Sequence, residues 1–349
     1  MKSVNRKSIF ILLAVLFSLF IIVAVVNADF YVVAGSRAAG TEIRSLPYTI
    51  TSSGFYYITK NLTCTTGDQA IRIEASDVTL DLMGFSIIGP GSGASMHGIY
   101  MHLVDNVEIR NGTVRSFTAD GVQSNGTIDH FGMRIMNLRV HHNGQYGIYL
   151  DEQNHIVQGC TVSHNSYIGI DPGDSSKVIG NTIFKNGNDG IEAGRGCTIT
   201  GNTSYDNASA GITGNVSVFS NNTCFDNDNS GIVSFSYSTV IGNTCYRNGG
   251  NGINAGNGST ITSNTCSQNT LNGIEADVGS TIIGNTCYDN SDSGIHAQNG
   301  STLTSNTCNN NTEYGIELGL YCMIHQNTCL GNGVNMSTCA TCVGSNVAP

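Results

Sequence analysis

The chain has no tryptophan and only 4 prolines in 349 residues, and charged side chains make up 11% of it. A typical globular protein carries roughly 25%. Long amphipathic helices need Glu, Lys, Arg, Ala and Leu on their surfaces. Their scarcity here excludes a helical bundle and a doubly wound α/β fold. Intrinsic disorder is excluded by the 40% hydrophobic content. Positive charge is scarce too: Lys and Arg number 15 against 25 Asp and Glu, the formal net charge is −10, and no basic stretch lies beyond the N-terminus. That balance excludes a nucleic-acid partner.

What the chain does have is glycine (43 residues), abundant Asn, and one apolar run. Lys2, Arg6 and Lys7 precede an apolar stretch from Ile9 to Val26, and Val26-Asn27-Ala28 offers a cleavage site before Asp29. Residues 1–28 therefore read as a signal peptide, with a retained membrane anchor as the alternative. Removing them takes away three positive charges and no negative ones, so −10 becomes −13. The expected location is secreted, extracellular or cell-surface, with the periplasm as the other exported compartment.

Repeats organise the remainder. Gly-Ile, once Gly-Val, recurs with its glycine at 98, 121, 147, 169, 190, 211, 231, 252, 273, 294 and 315. An independent signature, Asn-Thr, begins at Asn181, Asn202, Asn222, Asn243, Asn264, Asn285, Asn306 and Asn327. Both settle on a 21-residue step. Each unit holds short segments rich in Ile, Val and Thr, such as "GINA" and "STITSNTC", between turn-forming Gly, Asn, Asp and Ser. A propeller blade needs roughly 40 residues. A 21-residue unit of two or three strands is one turn of a parallel β-helix. The expected fold is all-β, a right-handed single-stranded parallel β-helix (solenoid) of about 11–12 turns of ~21 residues. Residues 29–65 read as an N-terminal cap, 66–330 as the helix and 331–349 as a C-terminal tail with a C-x-x-C.

Stacking turns the period into columns. The Ile after each Gly points inward, as do Ile199, Phe219, Val240, Ile261, Ile282, Leu303 and Ile324. Another inward column runs Val140, Val162, Ile183 and Ser204, then Cys224, Cys245, Cys266, Cys287, Cys308 and Cys329. Because the earlier members are aliphatic, these six cysteines are expected to be buried as free thiols. Vertical disulfides and a metal-thiolate stack are the alternatives, but zinc wants four convergent ligands and not a line. Ser176, Cys197, Ser217, Ser238, Ser259, Ser280, Ser301 and Cys322 form a column beside a turn. The Asn-Thr column is expected to bond amide to amide up the stack. Cys339 and Cys342 read as a clamp with Cys322 that closes the end of the solenoid. Cys64 and Cys160 have no assignment.

The stretches "LPYTITSSGFYYITKNLT" (46–63), "VTLDLMGFSIIG" (78–89) and "NVEIRNGTV" (106–114) resemble the opening of bacterial right-handed parallel β-helix repeat proteins. The later Gly-Ile and Gly-Asn-Thr turns resemble their repeat modules. That superfamily includes pectate lyases, polygalacturonases, mannuronan epimerases, a copper-maturation accessory, phage tailspikes and adhesins. The resemblance therefore implies an exported protein that engages polysaccharide or a cell-surface polymer. "YIGIDPGD" (167–174) is similar to the epimerase signature Tyr-Gly-Ile/Phe-Asp-Pro-His. Asp171 and Pro172 match, Gly173 stands where the catalytic His belongs, and Ile168 is inserted. In "NDGIEAG" (188–194), Gly194 replaces an expected acid. Paired-Asp and Gly-His-Gly motifs of polygalacturonases are absent.

Catalytic candidates are Asp171 and Glu192, expected on neighbouring turns at a spacing that suits a nucleophile and an acid. His142 and His164 stack one turn apart in another column, followed by Lys185, a candidate partner for a sugar carboxylate. Water-exposed strands carry Asp, Glu and His in any case, so a binding role competes with catalysis. If the protein is an enzyme, it is a polysaccharide lyase, glycoside hydrolase or uronate epimerase. Phe184, Tyr205, Phe225, Tyr246 and Tyr288 follow the Cys column and face outward, with Ser267 interrupting them. They are candidates for stacking on sugar, or for packing under a loop. No residue set reads as a metal site. No cofactor is implied beyond calcium, whose motifs fail here: Asp226, Asp228, Ser230 and Gly231 begin an EF-hand-like run, but Tyr237 stands where Glu belongs. Two further readings stay open, an adhesive rod or filament subunit that assembles end to end, and a periplasmic metal-handling accessory.

Overall fold

The computed structural model describes residues 40–125, 131–339 and 341–347; the N-terminal segment 1–28 lies outside them. Among the described residues there is no helix. The chain coils as a parallel β-solenoid of about 14 turns of ~21 residues. One sheet holds 14 strands, from Tyr48–Ile50 to Val334–Met336; we call it face 1. The other sheet contributes two short strands per regular turn, faces 2 and 3. In the unit from Gly252, face 1 is Ile253–Ala255, face 2 is Thr260–Thr262 and face 3 is Thr265–Ser267.

The columns register as the period requires. Cys224 pairs with Cys245, Cys245 with Cys266, Cys266 with Cys287, and Cys287 with Cys308. All six ladder cysteines are fully buried and free. Burial without a cationic partner holds thiols such as Cys224, Cys266 and Cys287 neutral, pushing their titration upward. Ile253, Ile261 and Cys266, one from each face, fill the core of a single turn with no exposure.

Each regular turn bends at two corners built alike, a left-handed residue followed by a buried Asn. At the corner between faces 2 and 3, Gly242 (φ 66°) precedes Asn243, and Ser263 (φ 57°) precedes Asn264. Asn243 Nδ2 donates to Asn264 Oδ1 at 3.0 Å and to the Phe219 carbonyl at 2.9 Å, while its backbone N–H donates to Asn264 Oδ1 at 2.8 Å. The expected ladder is thus present, and Cys160, unassigned from sequence, heads it by donating its N–H to Asn181 Oδ1. A second ladder stands at the corner leaving face 3: Asn143, Asn165, Asn186, Asn207, Asn227, Asn248, Asn269, Asn290, Asn311 and Asn332. Sequence reasoning missed it, although it keeps the same 21-residue step. The Ser column also bonds between turns, with the Ser217 N–H donating to Ser238 Oγ at 3.2 Å.

The invariant glycine before each face-1 strand has a steric cause. A Cβ on Gly231 would lie 2.7 Å from the Gly252 carbonyl oxygen, 2.9 Å from Asn248 Nδ2 and 3.0 Å from Cys245 Cβ. The second Asn ladder and the Cys column therefore both press on this slot.

Three expectations need correction. Stacking starts before residue 66, since Thr41–Glu42 pairs in parallel with Tyr56–Tyr57, and Tyr48–Ile50 with Ile71–Ile73. It also continues past 330, where Val343–Val347 pairs with the strand Met323–Leu330. The described strands within 41–63 and 334–347 thus stack as turns of the solenoid. They escaped notice because the turn lengths there depart from 21. Finally, Cys339 bonds to Cys342, while Cys322 is buried and free, its Sγ donating to the Gln298 carbonyl. A Cys322 clamp is therefore not formed.

Candidate functional site

Face 1 changes character along its length. Its outward column begins Arg72, Tyr100, Gln123, Tyr149 and Asp171. Glu192 follows on the next turn, where Ile170 registers with Ile191. Farther on come Thr213, Val233 and Asn254. The column turns ionisable again at Glu275, His296 and Glu317, where His296 Nδ1 lies 3.0 Å from Glu275 Oε2.

An open cleft of about 450 Å³ lies over Asp171, lined by Tyr149, Asp151, Glu152, Asp171, Asp174, Gly173 and Gly194 among others. Four carboxylates line it and no Lys or Arg does. Asp171 is half-buried and accepts the Gly173 N–H at 3.2 Å. Desolvation pushes its pKa up to about 7, with Glu192, Asp151 and Asp174 adding like-charge repulsion against that hydrogen bond. Glu192 is also raised, by desolvation and by Asp189. Asp174 Oδ1 accepts the Arg195 N–H at 2.7 Å. Gly194 is small for a reason: a Cβ there would collide with Asp174 Oδ1. Beside the cleft, Tyr146 packs on Tyr149 (ring centroids 4.9 Å) and edge-on to Tyr167 (5.0 Å). Burial pushes Tyr146 well above the ordinary phenol range and raises Tyr149 as well, with Asp171 contributing to each.

The arrangement sets one carboxyl raised to about 7 among further carboxyl groups. That is the pairing acid–base chemistry on a glycosidic bond requires. Asp151, Asp174, Tyr146 and Tyr149 join Asp171 there without having been singled out from sequence as a cluster. Counting back by 21 fails in turns of 22 and 26 residues, which hid them.

The histidine pair sits elsewhere. His142 and His164 are corner residues with φ of 58° and 54°, their rings parallel at 4.8 Å. They line a separate cleft with Ser92, Ser116, Thr118 and Ser166 that shares no residue with the Asp171 cleft. Desolvation, His142 and Lys185 lower the His164 pKa. Lys185 lies at the same corner (φ 55°) and lines neither cleft. The expected four-residue constellation of Asp171, Glu192, His142 and His164 is therefore divided, because the chain turns a corner between His164 and Asp171.

The aromatic column faces outward, but its rings use their faces on one another. Phe184, Tyr205, Phe225 and Tyr246 stack at 5.0, 4.8 and 5.0 Å with interplanar angles of 7°, 2° and 5°. His164 closes one end edge-on, and the Arg247 guanidinium covers the other at 4.9 Å while paired with Asp226. A sugar needs a free ring face, so this stack serves cohesion. Tyr288, separated by Ser267, stands apart and is exposed. Among the described residues, no group of three or more His, Cys, Asp and Glu is disposed to hold a metal ion.

A family model described as the right-handed β-helix region matches residues 97–244 and 233–347, and the chain belongs to that family. It is similar in fold to the A-module of mannuronan C-5 epimerase AlgE4 of Azotobacter vinelandii, with a TM-score of 0.63 and 15% identity over 84% of this chain and 91% of that one. The AlgE6 A-module from the same organism gives a TM-score of 0.62 and 16% identity over 85% and 91%. Comparison with curated protein sequences returned no match.

Proposed function

We propose that the protein is exported and binds a neutral polysaccharide along face 1, and that Asp171 acts there as proton donor to a glycosidic oxygen. The observation that carries this reading is the half-buried Asp171, raised to about 7, in an open cleft that Tyr149 also lines. Near neutral pH about half of it holds the proton a leaving sugar oxygen needs. Asp151, Asp174 or Glu192, on the same or adjacent turns, supplies the base. A polyuronate would set its own carboxylates against four in the cleft with no Lys or Arg there to offset them, so the ligand class is neutral.

The test is titration of the full protein with neutral glycans and with polyuronates, together with release of new reducing ends. Neutral glycan should bind and be cleaved, and Asp171→Asn should bind it and release nothing. Binding restricted to polyuronates, or undiminished release by Asp171→Asn, would overturn the reading.

A scaffold reading is favoured by one observation. Leu330, Val334 and Val343 are exposed on the last described strands, and exposed apolar strands invite association with a second copy. Light scattering discriminates, since a monomer at all concentrations opposes it.

A further inference from the structure

Two and three turns before Asp171, face 1 leaves polar atoms unsatisfied. Gln123 registers with Tyr100 on one side and Tyr149 on the other, and Asn125 registers with His102. Gln123 Oε1 and His102 Nδ1 are shielded from water, and neither has a hydrogen-bond partner among the described residues. Between them lies Tyr100, stacked on His102 with ring centroids 5.9 Å apart, its hydroxyl accepting from Asn125 Nδ2 at 2.9 Å. Buried polar atoms are ordinarily paired, so two orphans on neighbouring turns beside one aromatic ring call for a ligand.

The chemistry of the orphans selects that ligand. An amide oxygen needs a donor, which a carboxylate or sulfate does not offer. An imidazole nitrogen needs a donor or an acceptor according to tautomer. A hydroxyl supplies both. The nearby cation is already engaged, because Arg72 bonds Glu74 and lies over the Tyr100 ring at 5.3 Å. We propose that His102 and Gln123, which flank the buried Tyr100 ring, form a subsite for a neutral, hydroxyl-bearing sugar unit of the polymer whose other part occupies the Asp171 cleft. This rests on the polysaccharide reading above and adds a direction to it. Three stacked turns separate Tyr100 from Asp171, roughly 14 Å, so the polymer runs along the solenoid axis and only an oligosaccharide reaches both sites.

The test uses calorimetric titration of the full protein with neutral gluco- and manno-oligosaccharides, a disaccharide and a longer chain of each linkage. His102→Phe keeps the ring and Gln123→Met keeps the length, and each removes one orphan atom. Each substitution should weaken binding of the long chain about fivefold, the effect of one lost hydrogen bond, and leave the disaccharide unaffected. Melting temperature should hold or rise, since an unsatisfied atom is gone. Unchanged long-chain affinity in both variants, equal losses for both lengths, or a lower melting temperature in both would overturn the subsite. If the unmodified protein binds none of these glycans, the polysaccharide reading falls and the subsite with it. If it binds them and the variants do too, only the subsite falls.

Discussion

Asp171→Asn should stabilise the protein above neutrality while removing its acid chemistry. The native carboxyl titrates near 7 against an ordinary 3.8. Below 3.8 the carboxyl is neutral in both folded and unfolded chains, and the substitution changes little. Between 3.8 and 7 the unfolded chain ionises first, so the native state loses stability as pH rises. Above 7 the loss is complete. Three pKa units correspond to about 4 kcal/mol, and screening at a half-buried site reduces that to about 2 kcal/mol. Asn keeps the oxygen that accepts the Gly173 N–H, so the turn is preserved. For a chain of this size the gain amounts to roughly 3 °C in melting temperature. Thermal melts of both proteins, followed by far-ultraviolet circular dichroism at pH 8 and pH 3.5, check it. Equal melting temperatures at pH 8, or a gain of the same size at both pH values, would refute the electrostatic reasoning and leave Asp171 an ordinary surface acid.

Asn243→Ala removes five side-chain hydrogen bonds and should cost about 4 kcal/mol in urea unfolding; Asn188→Ala, outside both ladders, should stay within about 0.5 kcal/mol. Gly231→Ala places a methyl against the Gly252 carbonyl and Cys245 Cβ and should cost at least about 2 kcal/mol in the same assay. A thiol reagent should find almost nothing in the native protein, ten thiols after denaturation, and two more after reduction of Cys339–Cys342. Tyr205→Ala should lower stability by about 2 kcal/mol through its two ring contacts and leave glycan affinity unchanged.

The relation between chain and fold is plainest in the columns. In a solenoid, residues one period apart meet, so the 21-residue recurrence of Gly, Ile, Asn and Cys reports spatial neighbours directly. The Cys224–Cys329 line and the Asn181–Asn327 ladder were both legible for that reason. The same logic would have found Asn143–Asn332, had the position five residues after each first-ladder Asn been followed. It could not place Asp151 and Asp174 around Asp171, because unequal turns shift the count in the region of that cleft.

Sequence alone determined the repeating unit, the inward residues and the burial of the Cys column, because these follow from local alternation and a constant step. Tertiary structure decided what depends on angle and enclosure. It set which corner separates His164 from Asp171 and whether aromatic rings offer faces or edges. It also showed which polar atoms on face 1 are shielded without a partner. A linear period carries translation along the axis but no information about the turn around it, and the site is built from that turn.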